Sequence, residues 1–461
     1  VATKLFNFVY EKDSRRGFLP SGIWYCEDLV GKLIVVPNGN NLALTSDDPE
    51  EAMVELFGNS NILPVLANIF QVIPFLQRVS IFRQLIESNR SKLMSGLVWE
   101  TKSTNIRVRR NQIFEDSFES LGQLSSSLRN KIKVTFVNEH GIEEAGIDGG
   151  GVLKEFIDAL TKRTFDPKLG LFRSTEDHLL YPAANFGDSL QWALKRFEFA
   201  GAILGKALYE GILVEPQFSP AFLNVLLGRE NKFGDLFLID SELHRNLTKL
   251  KSLAEDEIEA LLLTFSITVP ETGEVVDMVR GGREFDVNKR NVHLYTKLFA
   301  HYRLNIETLR QTKAFLKGFR CIVPLSWLRL FGLSELQRLV GGDEKGIDLS
   351  DLKRHTLYGG GYHPSQPIIQ WLWEVLEGFN VDEQAQFLKF VTSCSRQPLL
   401  GFKHLNPPFC VNKVPSGERG DKLPSSSTCV NLLKLPNYGS KKVLREKLWY
   451  AMTAGAGFEL T

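Results

Sequence analysis

The residue with the clearest capacity for chemistry is Cys429, set in Leu423-Pro424-Ser425-Ser426-Ser427-Thr428-Cys429-Val430-Asn431-Leu432-Leu433-Lys434-Leu435-Pro436 near the end of the chain. Pro424 and the three serines make an irregular approach. Val430 to Leu435 then reads as a short apolar strand, which Pro436 stops because proline cannot donate to a ladder. A thiol at the mouth of a strand has its backbone fixed and its sulfur near solvent, as a nucleophile attacking a bulky electrophile requires. Free cysteines are also among the most buried residue types, so taken alone Cys429 reads more readily as core.

An ordinary cysteine pKa of about 8.5 leaves a few per cent thiolate at neutral pH, enough for nucleophilic attack without a dedicated base. The histidine nearest in sequence is His404, in Gly401-Phe402-Lys403-His404-Leu405-Asn406-Pro407-Pro408. It reads either as a general base or as a loop histidine, and only Asn406 stands ready to orient it. The other thiols, Cys26, Cys321, Cys394 and Cys410, form no C-x-x-C pair and no cysteine-histidine cluster with zinc spacing. No metal and no cofactor is implied. The glycine turn Gly146 to Phe156 lacks the order of a phosphate loop, and Gly205-Lys206 lacks the serine or threonine that should follow. Gly201 and Gly205 lie four apart on one helix face, which suits close helix packing.

The pattern of Leu-Pro, three residues, Thr-Cys, one residue, Asn, then Leu-Pro, with Phe458 fourth from the chain end, resembles the active-site segment of the HECT family of E3 ubiquitin ligases. The resemblance runs from about Thr101 to Thr461. It implies that Cys429 takes ubiquitin from an E2 conjugating enzyme as a thioester and passes it to a substrate or ubiquitin lysine. Thr428 would be its neighbour in the active-site loop and Phe458 the aromatic needed for transfer to lysine. Many members carry histidine directly before the Thr-Cys pair; here that residue is Ser427. Lysine attack requires an ammonium to lose a proton, and help from the tail, Glu459 or the Thr461 carboxylate, is expected if the tail folds over Cys429.

The fold implied is α+β and bilobal, with a larger mostly helical N-lobe holding an E2-binding subdomain, a hinge, and a smaller α/β C-lobe carrying the cysteine. Residues 1–100 read as a helical N-terminal extension, with a turn at Pro37-Asn38-Gly39-Asn40-Asn41 and a helix opened by Pro74 whose stripe is Phe75, Val79, Phe82 and Ile86. Residues 101–340 form the N-lobe: Asn111 can cap a helix bearing Phe114, Phe118 and Leu121, followed by a strand of Ile132, Val134 and Phe136. Within it, about 231–303 reads as the subdomain, with a Leu243, Leu247, Leu250 stripe, a strand from Leu261 to Ile267 turning at Glu271-Thr272-Gly273, and Tyr295 and Phe299 one helical turn apart. By position in the family, Leu243, Leu247, Leu262, Tyr295 and Phe299 would contact the E2, or else belong to the core. Gly341, Gly342 and Gly346 mark a hinge over 341–348, where glycine absorbs backbone rotation cheaply. In the C-lobe, 349–461, Trp371, Trp373, Val375, Leu376 and Phe379 give an aromatic core and Phe387, Leu388 and Phe390 extend it. Ser440 caps a last helix that turns Leu444, Leu448 and Ala451 inward.

The remaining composition excludes little and supports a globular protein. The chain has 461 residues, 43% of them hydrophobic and 24% charged, with a net charge of +1, so no polyelectrolyte field draws it to nucleic acid or membrane. No run of apolar residues is long enough to span a bilayer. The thinly spread, odd number of cysteines implies a cytosolic or nuclear setting. Val1 in place of methionine suggests a piece of a longer chain. Two other functions are weighed: a cysteine hydrolase using Cys429 with His404, and a non-catalytic scaffold that binds an E2 through its aromatic subdomain.

Overall fold

The computed structural model describes residues 2–16, 18–20, 22–26, 69–95, 103–138, 141–143, 151–184, 189–269, 273–343, 346–415 and 422–454. Helix α1 (Ala2–Arg16) is followed by α2 (Phe75–Ser95), opened by Pro74 as its fixed φ favours. Phe75, Val79, Phe82 and Ile86 are all buried, so the stripe read from the sequence is the packed face. Phe82 meets Trp327 and Phe331 edge-on, at 6.3 and 5.7 Å. Helix α2 therefore belongs to the same core as residues up to Val340. Residues 69–95, which precede the boundary expected at residue 100, thus pack into the same core as the helices that follow it. The turn expected at Pro37 to Asn41 lies outside the described residues.

One buried ion pair ties α2 to the end of the N-lobe. The Arg78 guanidinium donates to both carboxylate oxygens of Glu335, at 2.7 and 2.6 Å, and to the carbonyls of Ile73 and Leu330, at 2.7 and 2.6 Å. Glu335 also accepts from the Gly332 N–H at 2.7 Å and the Tyr10 hydroxyl at 3.3 Å. Four of the five Arg78 N–H donors and both Glu335 oxygens are thus hydrogen-bonded, as a buried pair requires.

Strands β1 (Thr104–Arg109) and β2 (Ile132–Val137) pair in parallel across α3 (Ile113–Leu121). Asn111 does not cap α3; it lies in a 3-10 turn, and Gln112 occupies the cap position without a side-chain bond. Helix α4 (Gly151–Thr164) begins at the last glycine of the 146–151 turn, whose first five residues are outside the described ones.

The centre of the N-lobe is the crossing of α5 (Leu190–Glu210) with a later helix, Leu309–Ile322, and small residues let their backbones meet. A Cβ on Gly201 would lie 2.0 Å from the Phe315 carbonyl oxygen, and one on Gly318 would lie 1.8 Å from that of Glu198. Gly205 sits against Ile322 and Phe319 on the same face, as the four-residue spacing implies. Gly318→Ala is expected to force the helices apart and cost about 1–3 kcal/mol, read as a lower denaturation midpoint. An unchanged midpoint would show that the crossing yields.

Between these helices lies a subdomain with its own core, built on α6 (Ser241–Leu250), the hairpin β3 (Ser266–Thr268) and β4 (Val275–Asp277), and α7 (Val292–His301). Asp240 caps α6 by accepting from the Leu243 N–H at 2.8 Å. The strand expected from Leu261 begins only at Ser266, because a helix over Glu255–Ala260 runs into a turn at Leu261 and Leu262. Gly273 has φ +69, while Glu271 and Thr272 lie outside the described residues.

With the Leu309–Ile322 helix as α8, α9 (Leu333–Gly341) closes the N-lobe. The C-lobe follows with β5 (Leu357–Gly359), α10 (Pro367–Glu377), α11 (Val381–Thr392), β6 (Cys410–Val414), β7 (Ser425–Ser427), β8 (Leu432–Pro436) and α12 (Lys441–Thr453). Its sheet runs β5-β6-β8-β7, parallel except for the β7–β8 hairpin. Asn380 and Glu383 cap α11 reciprocally, at 2.8 and 2.9 Å. Ser440 caps α12, and Leu444, Leu448 and Ala451 are buried as expected. Trp373, Val375, Leu376, Phe379, Phe387, Leu388 and Phe390 are buried in a core separate from that of the N-lobe, with Trp371 packed at its edge.

Candidate functional site: the Cys429 turn and the helix facing it

Cys429 lies in a single 3-10 turn, Thr428–Val430, inside the β7–β8 hairpin. The strand expected from Val430 starts instead at Leu432, because Asn431 adopts a left-handed conformation (φ 51, ψ 45) that interrupts it. Asparagine tolerates that region better than most residues. Asn431 is fully buried. Its Nδ2 donates to the Pro407 carbonyl at 2.6 Å, and its own carbonyl accepts from the Cys410 N–H at 3.0 Å. These bonds pin the turn to the neighbouring strand and leave the cysteine half-buried on its crest.

The turn faces the first turn of α4, in the other lobe. A Cβ on Gly151 would lie 2.3 Å from the Cys429 carbonyl oxygen and 3.0 Å from its Cβ, so only glycine permits this approach. Lys154 Nζ donates to Asn431 Oδ1 at 2.5 Å. Glu155, beside it, is held by Arg110 at 2.6 Å, and the Arg110 guanidinium lies 4.1 Å from the centre of the Phe136 ring. Burial lowers the Lys154 pKa to about 8, against the pull of the neighbouring acidic groups. Burial pushes the Cys429 thiol above its ordinary range, and the negative charge of Glu155 adds to the rise, while Lys154 opposes it.

The seam continues toward the hinge. Glu215 accepts from the Ser395 N–H at 3.1 Å with Lys389 Nζ 3.6 Å away, and Arg396 donates to the Gly341 carbonyl at 3.2 Å. Gly341 ends α9, and Gly342 has φ +89 with Arg396 Cβ 2.8 Å from where a Cβ would stand. A Cβ on Gly346 would meet Val381 at ordinary contact distance.

Thr428 sits half-buried beside the cysteine in the turn, and Ser427 ends β7 before it. His404 is exposed in a 3-10 turn, and no hydrogen bond among the described residues joins it to Cys429. Phe458, Glu459 and Thr461 lie outside the described residues. In the subdomain, Leu247 and Tyr295 are buried, Tyr295 packing edge-on against Phe265 at 5.6 Å. Both thus help complete the subdomain's core, the alternative their sequence pattern left open. Leu243 and Phe299 are half-buried, whereas Leu262 is 86% exposed with φ 48.

Gly151, Lys154, Glu155 and Asn431 were not singled out as site residues from sequence. The signals were present: an asparagine two residues after the cysteine, and a Lys-Glu pair just past a glycine turn. Nothing local says that they meet across the lobes, since Lys154 and Asn431 are 277 positions apart.

A family model described as HECT-domain (ubiquitin-transferase) matches residues 158–461. The chain is 41% identical to ubiquitin-protein ligase E3B of Homo sapiens, over 98% of this chain and 44% of that protein. It is 43% identical to E3 ubiquitin-protein ligase UPL6 of Arabidopsis thaliana, over 85% and 38% of the two chains. With E3 ubiquitin-protein ligase HUL5 of Saccharomyces cerevisiae the identity is 39%, over 87% and 45%. The chain thus spans less than half the length of these relatives.

Proposed function

Because the chain belongs to the HECT-domain family of ubiquitin transferases, we propose that it takes ubiquitin from an E2 as a thioester on Cys429 and transfers it to lysines of substrates or of ubiquitin. The observation that carries this reading is the placement of Cys429: a half-buried thiol on the crest of a tightly held hairpin turn, in a lobe with its own core. Exchange of one thioester for another is close to isoenergetic, so the protein's task is to present the sulfur rather than to drive the step. Thr428 orients the turn, Gly341, Gly342 and Gly346 let the C-lobe swing, and Phe458 and Glu459 act from the tail in lysine transfer. His404 remains a candidate base only if the loop carrying it moves toward the sulfur.

The E2 docks on the subdomain around Leu262, flanked by Leu243 and Phe299, with Leu247 and Tyr295 holding the surface in shape. Supporting this, a leucine in the left-handed region, almost wholly exposed, is held there by neighbours rather than by preference. Phe237, Leu261, Phe285 and Leu294 of the same subdomain are exposed as well, as interface anchors are. The five free thiols fit a reducing cytosolic or nuclear setting.

The test is to mix the chain with ubiquitin-charged E2 and separate the products without reductant. A ubiquitin adduct that thiol reductant removes, mapped by mass spectrometry to Cys429, is expected. Its absence across a broad E2 panel would favour a scaffold that only binds the E2.

A further inference from the structure

Transfer to lysine needs a proton acceptor close to the thioester, and the facing lobe carries one in its first helical turn. Gly151 touches the Cys429 backbone and Lys154 bonds Asn431, so this end of α4 is the surface against which the cysteine turn rests. Glu155 is four residues after Gly151, hence on the same face one turn up. Its carboxylate is partly exposed and is fixed by Arg110 at 2.6 Å, and Arg110 is itself stacked on Phe136. Among the described charged groups, Glu155 acts on the Cys429 thiol to raise its pKa and Lys154 to lower it. Its ion pair with Arg110 is partly exposed, and pairs of that kind contribute little to stability.

We propose that Glu155 is a catalytic residue for the second half-reaction, accepting the proton of the incoming lysine ammonium at the thioester on Cys429. The inference rests on the proposed ubiquitin transfer. One proton passes from the ammonium to the Glu155 carboxylate and on to water. The freed amine nitrogen then adds to the thioester carbonyl carbon, the carbon–sulfur bond breaks, and an isopeptide bond forms. The Cys429 sulfur leaves with the electron pair and takes the second nitrogen proton, regenerating the thiol. Arg110 keeps the carboxylate aimed through this ion pair. The other titratable groups described at this end of the helix are Lys154, Asp158 with its partner Lys162, and Cys429 itself.

The experiment separates the half-reactions. Wild type and Glu155→Gln are charged with ubiquitin from the E2, the E2 is quenched, and discharge of the thioester to free lysine is followed from pH 6.5 to pH 10. The variant is expected to form the Cys429 thioester within about twofold of wild type, and to discharge about 10²-fold more slowly near neutral pH, the usual scale of a lost general base. The deficit should close as pH rises toward the lysine pKa of about 10.4, where free amine needs no acceptor. Arg110→Gln, which keeps the carboxylate but frees it, should show a smaller loss with the same pH trend. Equal discharge by wild type and Glu155→Gln near neutral pH would overturn the proposal, as would a deficit that is the same at every pH or a variant that fails at charging. Failure of the wild type to form any thioester would instead overturn the transfer reaction itself.

Discussion

With Cys429 replaced by alanine, the chain is expected to remain folded and to lose covalent uptake of ubiquitin altogether, a fall of at least about 10³-fold in transfer. The fold should survive because the turn is held by the backbone and by Asn431: the bonds to Pro407, Cys410 and Lys154 involve no sulfur. The other thiols do not substitute. Cys394 is half-buried at the lobe seam, and desolvation pushes its pKa up to about 11. Cys410 is held in β6 with its pKa also raised by burial. Cys26 and Cys321 belong to the N-lobe, across the hinge from the hairpin. A non-reducing gel reads the adduct and a melting curve reads the fold. An adduct that persists in the alanine variant would place the nucleophile elsewhere.

The largest effect on stability is expected from Glu335→Ala. It leaves the Arg78 charge buried without its partner and strips the Gly332 N–H and Tyr10 hydroxyl of an acceptor. Breaking a buried pair from one side typically costs about 3–5 kcal/mol. For a cooperative unit of the N-lobe's size, each kcal/mol lowers the melting temperature by about 2–4 °C, so a fall of roughly 6–20 °C follows. Replacing both residues by methionine should restore much of the loss, because no orphaned charge is then left in the core. Chemical denaturation checks both variants, and a loss under about 1 kcal/mol for Glu335→Ala would mean that water reaches Arg78.

The sequence made the helices legible wherever one face had to be apolar. The α2 stripe, the inward face of α12 and the small-residue face of α5 all follow from spacing, because burial enforces it. The sulfur was legible for a different reason, the length of the motif around it. Its setting was less so. Asn431 breaks the expected strand by a backbone choice that no hydrophobic pattern encodes. Leu247 and Leu262 look alike in sequence, yet one is core and the other projects, since a helix end and a left-handed turn decide the matter locally. Gly151 reads as a turn glycine until another lobe is laid against it. What sequence reasoning lacks is the long-range contact, and the packing of α2 onto Trp327 and Phe331 is another of that kind.

The packing of α2 has a consequence in time. Its apolar face is completed by Trp327 and Phe331, which leave the ribosome roughly 250 residues after Phe82; at about 5–20 residues per second, that is an interval of about 12–50 s. During it, the part of the α2 face that Trp327 and Phe331 cover stays open, although the end of α5 can already meet α2 through Arg83 and Arg90, and the central crossing likewise waits for Gly318. The N-lobe core is therefore completed only when residues 318–331 have emerged, and until then part of its apolar surface stays uncovered. The C-lobe, whose strands and helices are close in sequence, closes soon after its last helix emerges.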